Sequence, residues 1–318
     1  MPSYEISQRP DAAEPPLPCR FERYLFNEPR HLRSQQGEGV QTFFLVNPKS
    51  NCIDARLSVF IQENEAISPL RATFGGVEFA ENVPSDALLT VFTAAEHWAI
   101  EQKLTAIRLT QWPNAYAPGP ADRLHQLLIE RNYNVLFTEQ NQHLSLNKPF
   151  EAGLHESARR RLVKAQRAGF TFQRWPTPDW AFVHAYVLAA RQRKGHPMTL
   201  SASQLAQLSV DFPDEVQVFT VRDGEAIAAL GVTVRVNARI LYHFYPADAA
   251  DYQAFSPAVL LTKGLYDWGR ARGIQLLDLG ISSVRGVPNE GLIRFKQNLG
   301  AQVSEKWSFE KKLDGVIN

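Results

Sequence analysis

The sequence predicts an α/β chain of the α+β kind, built as two tandem domains, each a mixed, mostly antiparallel sheet flanked by helices. Three observations lead there. The length of 318 residues suits two domains of ordinary size, each able to bury a core. Strand-like runs alternate with helical stripes in both halves. The order then repeats: after a central hairpin each half reads helix, strand, loop, helix, strand. Trp98 stands eleven residues before Leu109, and Trp268 eleven before Leu279.

Composition bounds the function. Hydrophobic residues make up 44% and charged residues 21%, which are globular values. A net charge of +1 does not advertise nucleic-acid or membrane affinity, local basic patches aside. Cys19 and Cys52 match no metal or redox spacing, so a reduced, cytoplasmic protein without a metal is expected. The N-terminus lacks a secretory apolar core, and no segment is long enough to span a bilayer.

The elements follow in order. Residues 1–20 carry Pro10, Pro15, Pro16 and Pro18 among polar residues and read as a flexible arm. The N-terminal domain, 21–150, has strand-like runs at Thr42–Val46, Arg56–Ile61 and Ala66–Phe74, the last interrupted by Pro69. A helical stripe runs through Leu88, Val91, Ala95 and Trp98. The strand Ala106–Leu109, a helix over Ala121–Arg131 and strands Val135–Phe137 and His143–Leu146 close this half.

The C-terminal domain, 151–318, opens on SARRRLVKAQRAG, Ser157 to Gly169, a helix capped by Ser157. Its run of basic residues is ordinarily a solvated face; the alternative is a phosphate or RNA contact. A strand over Phe170–Trp175 and helices over Trp180–Gln192 and Ser201–Leu208 follow. Strands Val216–Val221, Ala226–Val236 and Ile240–Tyr245 come next, the first two joined by the hairpin signal Asp223–Gly224. Alternation puts His243 and Tyr245 on one face of their strand and Tyr242 on the other. Ser256 and Pro257 start a helix that runs to about Arg272.

The stretch Gln275–Gln302 closes the pattern as strand, glycine-rich loop and helix. Asn289 can cap that helix and Gly300 can end it. Leu292, Phe295 and Leu299 form its buried stripe, and Lys296 sits beside the stripe. A lysine there snorkels out or meets an anion in a cleft. Aligning the two halves puts Leu128 where Lys296 stands. The first half then reads as scaffold and the second as the active domain.

The order of elements resembles the GNAT acyltransferase fold, and its doubling resembles the FemABX-like tandem proteins and their N-acetyltransferase relatives. The residues that carry the likeness are SARRRLVKAQRAG, the "FGG" of Phe74–Gly76, and DLGISSVRGVPNEGLIRFKQNLG. The resemblance implies an acyltransferase in which an amine attacks an acyl carbonyl directly, beside two splayed central strands. Here those would be Ala226–Val236 and Ile240–Tyr245, with Gly231 at a bulge or close approach. The family's pyrophosphate loop matches QAFSPA, Gln253 to Ala258, with Ser256 in place of a glycine, so acyl-CoA is a donor with a degenerate cradle. The "FK" pair implies that Phe295 and Lys296 meet the acceptor. Asp278 would orient the lysine or take a proton, and Tyr245 would line the catalytic centre. Arg191, Lys194 and Arg285 would hold an anionic small-molecule or peptide amine. Two alternatives stay open: a FemABX-type aminoacyl-tRNA-dependent transferase acting on a peptidoglycan precursor, and a GNAT-fold binding protein without turnover.

Overall fold

The computed structural model describes residues 4–35 and 38–313. It divides into two compact units, Met1–Glu139 with Glu305–Asn318, and Gln140–Ser304. The first unit contains β1 (Glu5–Pro10), α1 (Pro29–Ser34), β2 (Glu38–Asn47), β3 (Cys52–Gln62), β4 (Glu65–Ser68), β5 (Val77–Phe79), α2 (Ser85–Glu101), β6 (Ala106–Thr110) and α3 (Pro118–Glu130). Strands β1, β2, β3 and β4 pair antiparallel in turn, and β5 adds to β3. Helix α2 crosses over from β4 to β6, so those two strands are parallel. Residues 308–312, near the chain's end, pair antiparallel with β6.

The N-terminal stretch corrects one expectation. Residues 1–3 lie outside the described residues, but β1 is an edge strand in register with β2 from Glu5–Val46 to Pro10–Gln41. Pro10 ends that strand, where a missing N–H costs no ladder bond. Farther on, Cys19 bridges Ile53, and Arg20 grips the buried Asp54 with two bonds of 2.6 Å. The prolines shape this segment without freeing it.

The second unit takes in the end of β7 (Asn134–Ser145), then α4 (Glu156–Arg167), β8 (Thr171–Trp175), α5 (Trp180–Arg193), α6 (Ala202–Asp211), β9 (Val216–Asp223), β10 (Ala226–Arg235), β11 (Ile240–Asp248), α7 (Pro257–Arg270) and β12 (Leu276–Ile281). A two-strand hairpin, β13 (Ser283–Val284) and β14 (Val287–Pro288), leads into α8 (Glu290–Asn298) and β15 (Gln302–Lys312). The sheet order is β7, β12, β11, β10, β9, β8. The units divide at Glu139 and Ser304 rather than near Phe150. The reason is that β7 belongs to two neighbourhoods: residues 141–145 already pair with β12. Likewise β15 passes back into the first unit's sheet.

Both units place a tryptophan at a helix–sheet contact. In α2, Leu88, Val91 and Ala95 are fully buried, and Trp98 meets Phe43 of β2 edge-on at 6.0 Å. In α7, Trp268 meets Phe219 of β9 edge-on at 5.0 Å. The second unit's core gathers apolar residues of α4, α7, β9–β12 and the end of α8.

Candidate active site

The two strands that part company are β11 and β12, not β10 and β11 as the sequence implied. Strands β10 and β11 are a tight hairpin and stay paired from Arg235–Leu241 to Ala229–Asp248. A bulge between them leaves Phe244 unpaired. By contrast β11 and β12 are joined through α7 and run parallel. They pair only at Ile240–Leu276, Leu241–Leu277 and Tyr242–Asp278. Beyond Tyr242 each strand goes its own way, which opens a V in the sheet.

The bulge also corrects the expected alternation. Tyr242, Phe244 and Tyr245 form one ring series, with Tyr242–Phe244 at 5.7 Å and Phe244–Tyr245 stacked at 4.0 Å. Tyr245 hydrogen-bonds the Thr199 hydroxyl and lies under the Arg191 guanidinium at 5.5 Å. Burial raises its phenol above the usual value. His243 points elsewhere. A Cβ on Gly231 would lie 2.7 Å from its Nε2 and 3.3 Å from Leu261 of α7. Gly231 is therefore a packing glycine that makes room for a buried imidazole. The extra residue at Phe244 shifts the phase, so Tyr245 joins Tyr242 and His243 stands alone.

The end of β12 is where the buried polar groups meet. Its pairing with β7 slips between Asp278 and Ile281, and Gly280 there has φ of +75. Glycine adopts that conformation without strain, and a Cβ would also crowd the Tyr242 ring at 3.2 Å. Asp278, 1% exposed, accepts from Asn141 Nδ2 at 2.9 Å and from the Gly280 N–H at 2.7 Å. Its carboxylate thus shapes the bulge. The bulge turns two carbonyls toward α8, and Lys296 Nζ donates to both: Gly280 O at 2.8 Å and Ile281 O at 3.1 Å.

Lys296 is not beside the buried stripe but in it. The buried face of α8 continues through Ile293, Lys296 and Leu299, while Leu292 and Phe295 are half-buried. Phe295 packs on the core, which is a structural position. Burial lowers the Lys296 ammonium from 10.5 to about 7, against the pull of Asp278. His243 is buried too, and desolvation with the Lys296 charge lowers it to about 3. The result is a neutral imidazole beside an amine that titrates near neutrality.

The remaining candidates fall elsewhere. Lys194 Nζ pairs with Asp248 at 2.9 Å, and Arg193 donates to the Asp248 carbonyl at 2.6 Å. Gln253, with its amide oxygen toward Arg193, accepts two bonds at 3.2 Å. Lys194 thus belongs with the donor loop rather than with Lys296. Arg285 stands at the turn of the β13–β14 hairpin with φ of +50. Ser256 takes the left-handed backbone of the glycine it replaces, φ +55, and makes no side-chain cap. Its N–H donates to Gln253 O at 3.0 Å and its carbonyl accepts from Val259 N–H at 3.0 Å. Pro257 has no N–H, so only Ala258 keeps a donor at this helix start. Asn141 and Gly280 escaped the sequence reading. "DLG" marks Gly280, but nothing local marks Asn141, which arrives from a distant strand. Among the described residues no helix is long and apolar enough to cross a membrane, and no group of three His, Cys, Asp or Glu could hold a metal.

Comparison with known proteins supports this geometry. Residues 154–296 match the family described as an acetyltransferase (GNAT) domain. A search of the curated proteins returned no match. Among solved structures, FemX superposes with a TM-score of 0.72 at 13% identity, covering 91% of this chain and 92% of that one. A tandem GNAT protein from the clavulanic acid biosynthesis pathway gives 0.53 at 13% identity, over 86% and 83% of the two chains. The C-terminal domain of a proposed lysylphosphatidylglycerol synthetase from Agrobacterium fabrum gives 0.56 at 13% identity, over 89% and 85%. The chain has the tandem GNAT, FemX-like fold, and its residues 154–296 match the GNAT acetyltransferase domain.

Proposed function

We propose that the second unit transfers an aminoacyl group from an RNA carrier to an amine of an anionic acceptor. The observation that carries the reading is the V between β11 and β12, with Lys296, Asp278 and the Tyr242–Tyr245 wall at its end. The exposed strand edges offer backbone groups to an acyl arm. The acceptor amine attacks the ester carbonyl; the C–N bond forms, the C–O bond to the carrier breaks, and the amine proton passes to the leaving oxygen. Tyr245 and Lys296 are the proposed groups facing the reacting atoms, with Asp278 positioning the bulge. Arg191 supports an anionic acceptor, and Arg285 stands on the loop after β12.

The donor loop favours an RNA carrier over CoA. A pyrophosphate needs several free N–H groups at the helix start. Here one is tied to Gln253, one is absent at Pro257 and one is tied to Ser256. The likeness to FemX and to a proposed lysylphosphatidylglycerol synthetase fits that preference. The test offers the protein aminoacyl-tRNA or acetyl-CoA with a panel of phosphorylated and carboxylated amines, and follows amide formation by mass. Amide from aminoacyl-tRNA and none from acetyl-CoA is the expected result. The reverse outcome overturns the donor assignment.

A further inference from the structure

Helix α4 lies outside the site just described, yet its surface is the most strongly charged element of the second unit. Its sequence sets five basic residues against the single Glu156, in a chain whose net charge is only +1. Ala158, Leu162 and Ala165 are buried in the core, and Arg159, Arg160, Arg161, Lys164 and Arg167 are exposed. Arg159 donates to the Glu151 carbonyl at 2.8 Å, and Arg160 pairs with Glu156 at 2.7 Å in open solvent. Arg161, Lys164 and Arg167 have no acidic partner among the described residues. Arg160, Lys164 and Arg167 share a face at i, i+4 and i+7 and span about 10 Å, the axial length of about three phosphates on one strand.

The strip meets an aromatic ring at Lys164. Lys164 Nζ sits over Phe255 at 5.3 Å, and Phe255 is 36% exposed. Phe255 directly precedes Ser256, so the ring stands at the donor loop. Basic side chains leading to an exposed ring are the two parts a nucleic-acid end requires: charges for the backbone and a platform for an unpaired base. A bilayer would instead call for a broad apolar face. The apolar face of α4 is spent on the core, leaving Val163 as its exposed apolar residue.

We propose that α4 and Phe255 dock the RNA that carries the acyl donor, the phosphates lying along Arg160, Arg161, Lys164 and Arg167 and a terminal base on Phe255. This rests on the donor assignment above. The experiment compares wild-type protein with Arg161→Glu/Lys164→Glu/Arg167→Glu and with Phe255→Ala. Binding to a bulk deacylated tRNA mixture is followed by fluorescence anisotropy across a salt series, with unfolding curves run alongside. The triple variant is expected to bind about tenfold or more weakly and to lower the log–log salt slope by about 2. Phe255→Ala is expected to weaken binding about fivefold or more with the slope unchanged. If the triple variant unfolds, Lys164→Gln lowers the slope by just under 1. Wild-type binding that survives the triple variant unchanged overturns the docking surface while leaving the donor assignment standing. A wild-type protein that ignores tRNA and acylates from acetyl-CoA overturns both. Loss of binding to phosphatidylglycerol vesicles in the triple variant, with tRNA binding intact, assigns the strip to a bilayer and overturns the proposal.

Discussion

Replacing Lys296 with methionine separates a surface lysine from a buried one. Lys296 is 5% exposed, and its amine bonds two carbonyls of the β12 bulge. Methionine keeps much of the stem but leaves Gly280 and Ile281 O without that donor, a cost of about 1–3 kcal/mol each. The variant also escapes the cost of holding a charge there. Near pH 7.5 the net effect should be a loss of about 2 kcal/mol.

The pH dependence carries more information than the single value. The folded amine titrates at about 7 and the free side chain at 10.5. Between those values the unfolded chain holds a proton that the folded chain lacks, so stability rises with pH across the window, by about 1.4 kcal/mol per unit. Below about pH 7 both states are protonated and the whole penalty, about 5 kcal/mol, is present. Methionine has no such proton. The stability gap between wild type and Lys296→Met should therefore widen by about 2–3 kcal/mol from pH 7 to pH 9. Urea unfolding at several pH values measures it. Parallel stability curves for the two proteins would show that Lys296 is solvated and would refute the buried-amine argument. Acceptor turnover, measured beside it, should fall by about one to two decades if Lys296 faces the reacting atoms.

Two smaller substitutions test the packing and the donor loop. Gly231→Ala drives a methyl to within 2.7 Å of His243 Nε2 and should cost about 1–3 kcal/mol in denaturant unfolding; an unchanged midpoint would mean that His243 has room to turn away. Ser256→Gly relieves a left-handed serine and should raise stability by about 1 kcal/mol. It should leave CoA binding weak by calorimetry, because Pro257 still lacks an N–H; tight CoA binding in the variant would reinstate the anion cradle.

The architecture was legible because it rests on local signals. Strand runs, the Asp223–Gly224 hairpin and the Asn289 cap all name their own elements. The site was less legible, because it depends on events that span strands. The resemblance names a pair of central strands and points to β10 and β11, whereas the V opens between β11 and β12, whose parallel pairing lasts three residues and is set by the crossover through α7. The extra residue at Phe244 is invisible to alternation and moves Tyr245 to the other face. The spacing of Leu292, Phe295 and Leu299 sets Lys296 beside the stripe, because a charged residue is not counted as apolar. Its burial depends on two carbonyls offered from another element.

The first unit shows what the same framework does without that lysine. Matching Trp98 to Trp268 and Leu109 to Leu279 puts Thr110 opposite Gly280, and a two-residue shift in the loop that follows puts Leu128 opposite Lys296. Leu128 is fully buried and offers no donor. The Thr110 carbonyl instead accepts from the Gly75 N–H at 2.9 Å, and the Gly76 N–H donates to Ser68 Oγ at 2.9 Å. The backbone of the "FGG" segment thus occupies the place beside β6 where the second unit leaves its V open. This supports the proposal that the first unit is scaffold. Gly75 is needed for the plug: a Cβ there would lie 2.4 Å from Ser68 Oγ and 2.9 Å from the Pro69 nitrogen, which is backbone and cannot swing aside. Gly75→Ala should therefore cost about 1–3 kcal/mol through overpacking. Hydrogen exchange should show the Gly75 amide opening while the amides of β12 keep their protection. A variant with unchanged stability and an unchanged Gly75 amide would mean that this segment does not fill the first unit's V, and the contrast between the two units would lose its physical basis.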